Sequence, residues 1–141
     1  MKLLTFQARR FAWTPHSVGL PPDHAPLVAS DPQPGAVEEA VVAWLHVEAQ
    51  DAADEARAFK KTLKHIKWVA NKRQMKTIAL HVFAHLGGDN AEPAFARAFV
   101  ARLAERLRGT GYTVAETPFG WFCGWQLDVY GESMAKVFKS I

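Results

Sequence analysis

The segment Glu39-Ala-Val-Val-Ala-Trp-Leu-His-Val-Glu48 constrains the fold most. Its centre is apolar at odd and even positions alike, the pattern of a strand covered on both faces. Such a strand needs partners on each edge and a layer on each side, and the flanking sequence offers them. Met1 to Trp13 reads as a first strand around Leu3, Leu4 and Phe6, stopped by Pro15. Thr77 to Ala84 reads as a third, Tyr112 to Glu116 as a short fourth, and Trp121 to Tyr130 as a fifth. Between them, Phe59, Leu63, Ile66 and Ala70 recur at helical spacing and predict a helix over about Asp54–Asn71 with Asp51 as its cap. Pro93 in a first turn and Gly109 past the end frame a second helix from about Glu92 to Arg108. Thr14 to Gly35 is rich in proline and glycine and reads as a long connection, with room for a short strand near Leu27–Val28. The tail from Glu132 to Phe138 reads as weakly helical. Strands alternating with helices predict an α/β fold, a single mixed β-sheet with helices packed on it. The tight link between the last two strands predicts at least one antiparallel pair.

Length and composition bound the rest. At 141 residues the chain is sized for one domain, 1–141, large enough to hold a core without staples. The one cysteine, Cys123, excludes a disulfide scaffold and fits a reducing, cytoplasmic setting. No apolar run reaches the roughly 18 residues of a membrane span. The net charge of +3 permits an anionic partner without demanding one.

Few residues suggest chemistry on their own. His81 and His85 form an HxxxH pair, but on a strand they stand about 13 Å apart, and the motif's glutamate is missing, which argues against a metal. His81 is expected inside the sheet. His85 falls at the strand end, before Gly87-Gly88, where ligands of α/β sheets commonly sit. It serves there either the structure or a ligand. Gly87-Gly88 belongs to no P-loop or GxGxxG pattern, so no nucleotide cofactor is implied. Lys60, Lys61, Lys64, Lys67, Lys72, Arg73 and Lys76 place seven of the chain's 17 Lys and Arg residues in one short span. They form either a solvated face or a contact for phosphates, read without base specificity. Cys123 is either a small buried hydrophobe or a nucleophile awaiting a base or cation, with His85 and Lys136 as candidates.

Two stretches carry a more specific pattern. Leu80-His-Val-Phe-Ala-His-Leu86 precedes a proline-started helix. Gly111-Tyr-Thr-Val114 is followed by Thr117-Pro-Phe-Gly-Trp-Phe122. Together, with Val47-Glu48 as a third match, they resemble the archaeal-type threonyl-tRNA synthetase editing domain, whose motifs run roughly Y-A-H-L-S and G-Y-x-V…P-F-G-W-Y-K. The resemblance covers nearly the whole chain. It implies a D-aminoacyl-tRNA deacylase-like fold, usually a homodimer, and hydrolysis of a wrong aminoacyl ester, typically seryl-tRNA for threonine, with no cofactor. It implies tRNA as partner through its 3′ aminoacyl-adenosine, a threonyl-tRNA synthetase as a second candidate partner, and a free-standing relative that edits in trans. It assigns Val47, Ala84, Phe119, Gly120, Trp121 and Phe122 to the substrate pocket. The backbone of the tRNA would then meet Lys60, Lys61, Lys64 and Lys67.

The sequence departs from the family's pattern at Phe122, which replaces a tyrosine, along Phe6-Gln7-Ala8-Arg9, where the family tends to have an I-H-x-D run, and, with most consequence, at two further positions. Cys123 stands where the family has a lysine, and Lys136 where it has a glutamate. The paired change predicts that Lys136 turns into the same pocket and favours the Cys123 thiolate, with His85 beside them as the third catalytic candidate. Two alternatives stand next to this reading: a relative that has lost hydrolysis and binds tRNA or a synthetase, and a thiol esterase for another small acyl substrate.

Overall fold

A computed structural model describes residues 1–141. Its strands are β1 (Lys2–Val18), β2 (Gly35–His46), β3 (Thr77–Val82), β4 (Thr113–Glu116), β5 (Trp121–Val129) and β6 (Lys136–Ser140), and its helices α1 (Glu55–Asn71) and α2 (Pro93–Gly109). They form one mixed sheet in the order β4-β3-β2-β1-β5. β2 runs parallel to β3, and β3 to β4, while β1 is antiparallel to β2, β5 and β6. The predicted α/β sheet is thus the observed one.

Alternation sorts the residues onto two faces. Leu3, Val41, Ala43, Leu45, Ile78 and Leu80 point to one face, where Ile66 and Val69 of α1 and Phe99, Leu103 and Leu107 of α2 close the main core. Each of these five helix side chains is wholly buried, a burial contributing about 1.5–3 kcal/mol apiece. Gln7 and Thr5 also face α1: the Gln7 amide donates to the Val69 carbonyl at 2.8 Å, and Thr5 Oγ1 lies 3.2 Å from His65 Nε2.

The opposite face carries a second cluster of Ala8, Phe11, Trp13, Val42 and Ala79, with no helix over it. An irregularity between Ala8 and Arg10 shifts the register of β1 and places Phe11 and Trp13 on this face. The strand then curls. Leu4 pairs with Trp44, and Trp13, nine residues on, pairs with Trp125. Nine extended residues span about 30 Å, yet the rings of Trp44 and Trp125 lie 4.4 Å apart. The β1–β5 arm therefore folds back across the uncovered face.

Five local expectations are corrected. β1 does not stop at Trp13 but passes through Pro15 to Val18, with a second register shift between Pro15 and Ser17 accommodating the proline. Leu27 and Val28 form no strand; Leu27 ends a 3₁₀ turn over Pro22–Leu27, with Val28 as its C-cap. α1 is capped by Asp54, whose carboxylate accepts from the Arg57 amide, while Asp51 lies in a preceding 3₁₀ turn and takes the amide of Glu48 at 2.7 Å. The C-terminal tail is the strand β6, because β1 offers a free edge along Lys2–Phe6. The last two predicted strands do not pair with each other: β4 lies on β3 and β5 on β1.

Candidate functional site

The two motif-bearing stretches meet where β4 ends. The Thr117 amide donates to the Leu80 carbonyl at 3.1 Å, and Thr117 Oγ1 lies 2.7 Å from His81 Nδ1. This fixes the start of the Pro118–Trp121 turn beside β3. The turn is backed by the proline-rich connection: Gly19 N donates to Gly120 O at 2.7 Å and Ala29 N to Phe119 O at 3.0 Å, and the Trp121 indole donates to Ala29 O at 2.9 Å. Gly120 has φ of +82°, and a Cβ there would lie 3.1 Å from Val28 Cγ2 and 3.2 Å from Leu20 Cδ1. Only glycine satisfies both the left-handed backbone and that close approach.

The end of β3 carries the other motif. Phe83 N donates to Leu45 O at 2.8 Å. Three residues on, Leu86 N donates to His46 Nδ1 at 3.2 Å, pinning the loop that carries Ala84 and His85. The His85 ring is exposed and meets the edge of Phe83 at 5.3 Å between centroids. Below lies an aromatic floor. Trp125 stacks on Trp44 and contacts His81 and Phe83 at 5.2 and 5.6 Å, and Phe6 meets Trp44 edge-on at 5.2 Å. The Trp44 indole N–H is buried there without a partner.

Burial sets the protonation of this region. It pushes the His81 imidazole down to about 4, since a charged ring would lose its water without gaining a counter-ion. It also lowers His46, against the raising effects of Asn90 and Glu48. Both rings are therefore neutral near pH 7, as His46 must be for Nδ1 to accept from Leu86. Glu48 is the opposite case. Burial acts to raise it, but hydrogen bonds from the Lys2 ammonium and the Met1 amine outweigh that and hold it at about 2. The Met1 amine also lies 2.6 Å from Asp51 Oδ1.

The predicted Lys136–Cys123 contact is not formed. Cys123 pairs with Pro15 on β1, and Lys136 with Phe6, nine positions away. The Lys136 ammonium instead donates to the carbonyls of Gly131 and Glu132 at 3.1 and 3.4 Å. The Cys123 thiol packs against the second apolar cluster, its nearest polar contact being the Trp121 carbonyl at 3.9 Å, and burial pushes its pKa up. No cation lowers it, so the expected Lys136–Cys123 thiolate pair is corrected. Val47 also departs from expectation: its side chain belongs to the main core, and its carbonyl already accepts from Ala91 N at 3.0 Å. Ala84 and Phe119 to Trp121 are half-buried, Phe119 against the main core, while Phe122 is exposed against Gly19. The sequence pattern missed Trp44, His46 and Trp125, and the Trp44–Trp125 stack depends on the curl of β1.

On α1, Lys60, Lys64 and Lys67 share one groove with Trp68, while Lys61 stands exposed outside its lining.

Sheet order and the two packed faces define a D-aminoacyl-tRNA deacylase-like fold. The solved structure of the c-Myc DNA unwinding element binding protein superposes with a TM-score of 0.67, covering 100% of this chain and 99% of that one at 14% identity. The family is set by sequence. The model of the archaea-specific editing domain of threonyl-tRNA synthetase matches residues 1–141, and the chain belongs to that family. The threonine–tRNA ligase of Staphylothermus marinus is 32% identical over 100% of this chain and 22% of its own length. That of Pyrococcus furiosus is 26% identical over 81% of this chain and 18% of its own length. The chain thus spans about a fifth of the curated relatives it matches. No helix is long and apolar enough to cross a membrane.

Proposed function

We propose that the chain binds the 3′-aminoacylated end of a tRNA and hydrolyses a mischarged ester such as seryl-tRNA(Thr), acting in trans in the cytoplasm as a homodimer. Family membership supports the reaction class. The observation that carries the reading is the convergence of the Thr117–Trp121 turn with the β3 end, tied by the His81–Thr117 contact.

In this reading Ala84 and His85 form one wall of the acyl-ribose cleft and Phe119, Gly120, Trp121 and Phe122 the other. Water adds to the ester carbonyl, the carbonyl–ribose oxygen bond breaks, and the amino acid leaves with the ribose hydroxyl restored. The chemical demand is modest: donors for the developing oxyanion and an aligned water. In the absence of a thiolate, the substrate's neighbouring 2′-hydroxyl and main-chain groups of the two walls carry it, with the exposed His85 as the candidate side chain. Lys60, Lys61, Lys64 and Lys67 meet tRNA phosphates, and a threonyl-tRNA synthetase is a candidate docking partner.

A second reading is favoured by one observation. The family's lysine position is held by a thiol that burial keeps protonated, as expected of a relative that retains binding without hydrolysis. Decay of seryl-tRNA(Thr) and threonyl-tRNA(Thr) in the presence of the 141-residue chain separates the two. Faster decay of the seryl ester alone, lost in His85→Ala, supports editing. Retention of both esters with intact tRNA binding supports the second reading.

A further inference from the structure

We propose that the solvent face of α1 is a binding groove for single-stranded RNA, with Trp68 as the platform on which an unpaired base stacks. The proposal rests on the tRNA-editing reading for the identity of the RNA and adds to it a specific element of recognition.

The outward ridge of α1 carries Lys60, Lys64, Lys67, Trp68, Asn71 and Lys72, which line one shallow groove with Leu63. The inward ridge, Ala58, Thr62, Ile66, Val69 and Ala70, is buried on the sheet. Core packing therefore does not account for an indole on the outward side, where Trp68 is 42% exposed. Its ring has the Lys72 ammonium 5.7 Å above its centroid and the His65 ring 5.9 Å away.

The charge around it is one-sided. From Ala56 to Gly88 the sequence contains no Asp or Glu, and none of the groove's lysines enters an ion pair, whereas Arg73, Arg102 and Arg108 each have a carboxylate partner. Unneutralised lysines flanking an exposed aromatic ring match a polyanion whose repeating units also carry flat π-faces. Single-stranded nucleic acid has both properties. A duplex hides its bases, and an acidic peptide lacks them.

The test is fluorescence anisotropy of a labelled single-stranded oligoribonucleotide and of a blunt RNA duplex bearing the same number of phosphates. Trp68→Ala should weaken the single strand about tenfold or more and leave the duplex nearly unchanged, and Trp68→Phe should keep most of the wild-type affinity. Lys64→Gln with Lys67→Gln should weaken both and lower the single-strand salt slope by about 1.4. Equal single-strand affinity in wild type and Trp68→Ala overturns the proposal, as does equal capture of poly-glutamate, which would make the face a general cation surface. Binding is read without hydrolysis. A chain that hydrolyses no ester but captures single strands through Trp68 refutes the editing reading and keeps this one. A chain that edits but binds independently of Trp68 does the reverse.

Discussion

Replacing Thr117 with valine probes the contact that ties the Pro118–Trp121 turn to β3. The substitution is nearly isosteric, so it opens no cavity, and it removes only the hydroxyl. His81 is 4% and Thr117 9% exposed, so water cannot readily replace the lost partner, and His81 Nδ1 is left buried and unsatisfied. That costs about 1–3 kcal/mol, read as a lower urea midpoint at unchanged m-value near pH 7.5. The asymmetry of buried hydrogen bonds supplies the control. In Thr117→Val with His81→Phe neither partner remains polar, so the double variant should recover much of the loss. A Thr117→Val protein as stable as wild type, or a double variant as weak as the two single losses combined, would refute the assignment of this contact as the tether.

Acidification provides the next test. His81 sits at about 4 in the fold against 6.5 when free, so the unfolded chain binds the extra proton between those values. Stability is complete above pH 6.5 and falls as pH drops toward 4, by about 3 kcal/mol. His81→Phe should flatten that part of the urea-midpoint profile; an unchanged profile contradicts it. Cys123→Ala should keep seryl-ester hydrolysis within about twofold, because the thiol is held protonated; a loss above tenfold would return Cys123 to the mechanism. Phe99→Ala, at a wholly buried position between the helices and the sheet, should cost about 3–5 kcal/mol in chemical unfolding; a loss under 1 kcal/mol would show that the core closes around the gap.

The parts legible in the sequence are those whose signal is local. β2 and β3 announce themselves by apolar runs and α1 and α2 by a repeating stripe, because each buries a face against a neighbour that any such pattern requires. The misreadings share a non-local cause. Proline normally ends a strand, yet Pro15 is accommodated in β1 by a register shift against β5. The tail after Glu132 has little intrinsic preference and becomes β6 only because Lys2–Phe6 offers an open edge 130 residues away in the chain. The same holds at the site. The motif residues could be quoted from the sequence, and the family they resemble is the one the chain belongs to. The Trp44–Trp125 stack could not be seen there, since it exists only once the β1–β5 arm folds back. Cys123 and Lys136, matched by their motif positions, have other partners: the ammonium donates to the Gly131 and Glu132 carbonyls and the thiol packs on the second apolar cluster.

In the proposed function, the β3 end and the Pro118–Trp121 turn enclose an acylated ribose. A hydrolysis-resistant 3′-seryl-amino-adenosine titrated into isotope-labelled protein tests it directly by amide chemical shifts. Saturable shifts are expected at Ala84, His85 and Phe119–Phe122. Shifts absent from those residues, or confined to another surface, would contradict it.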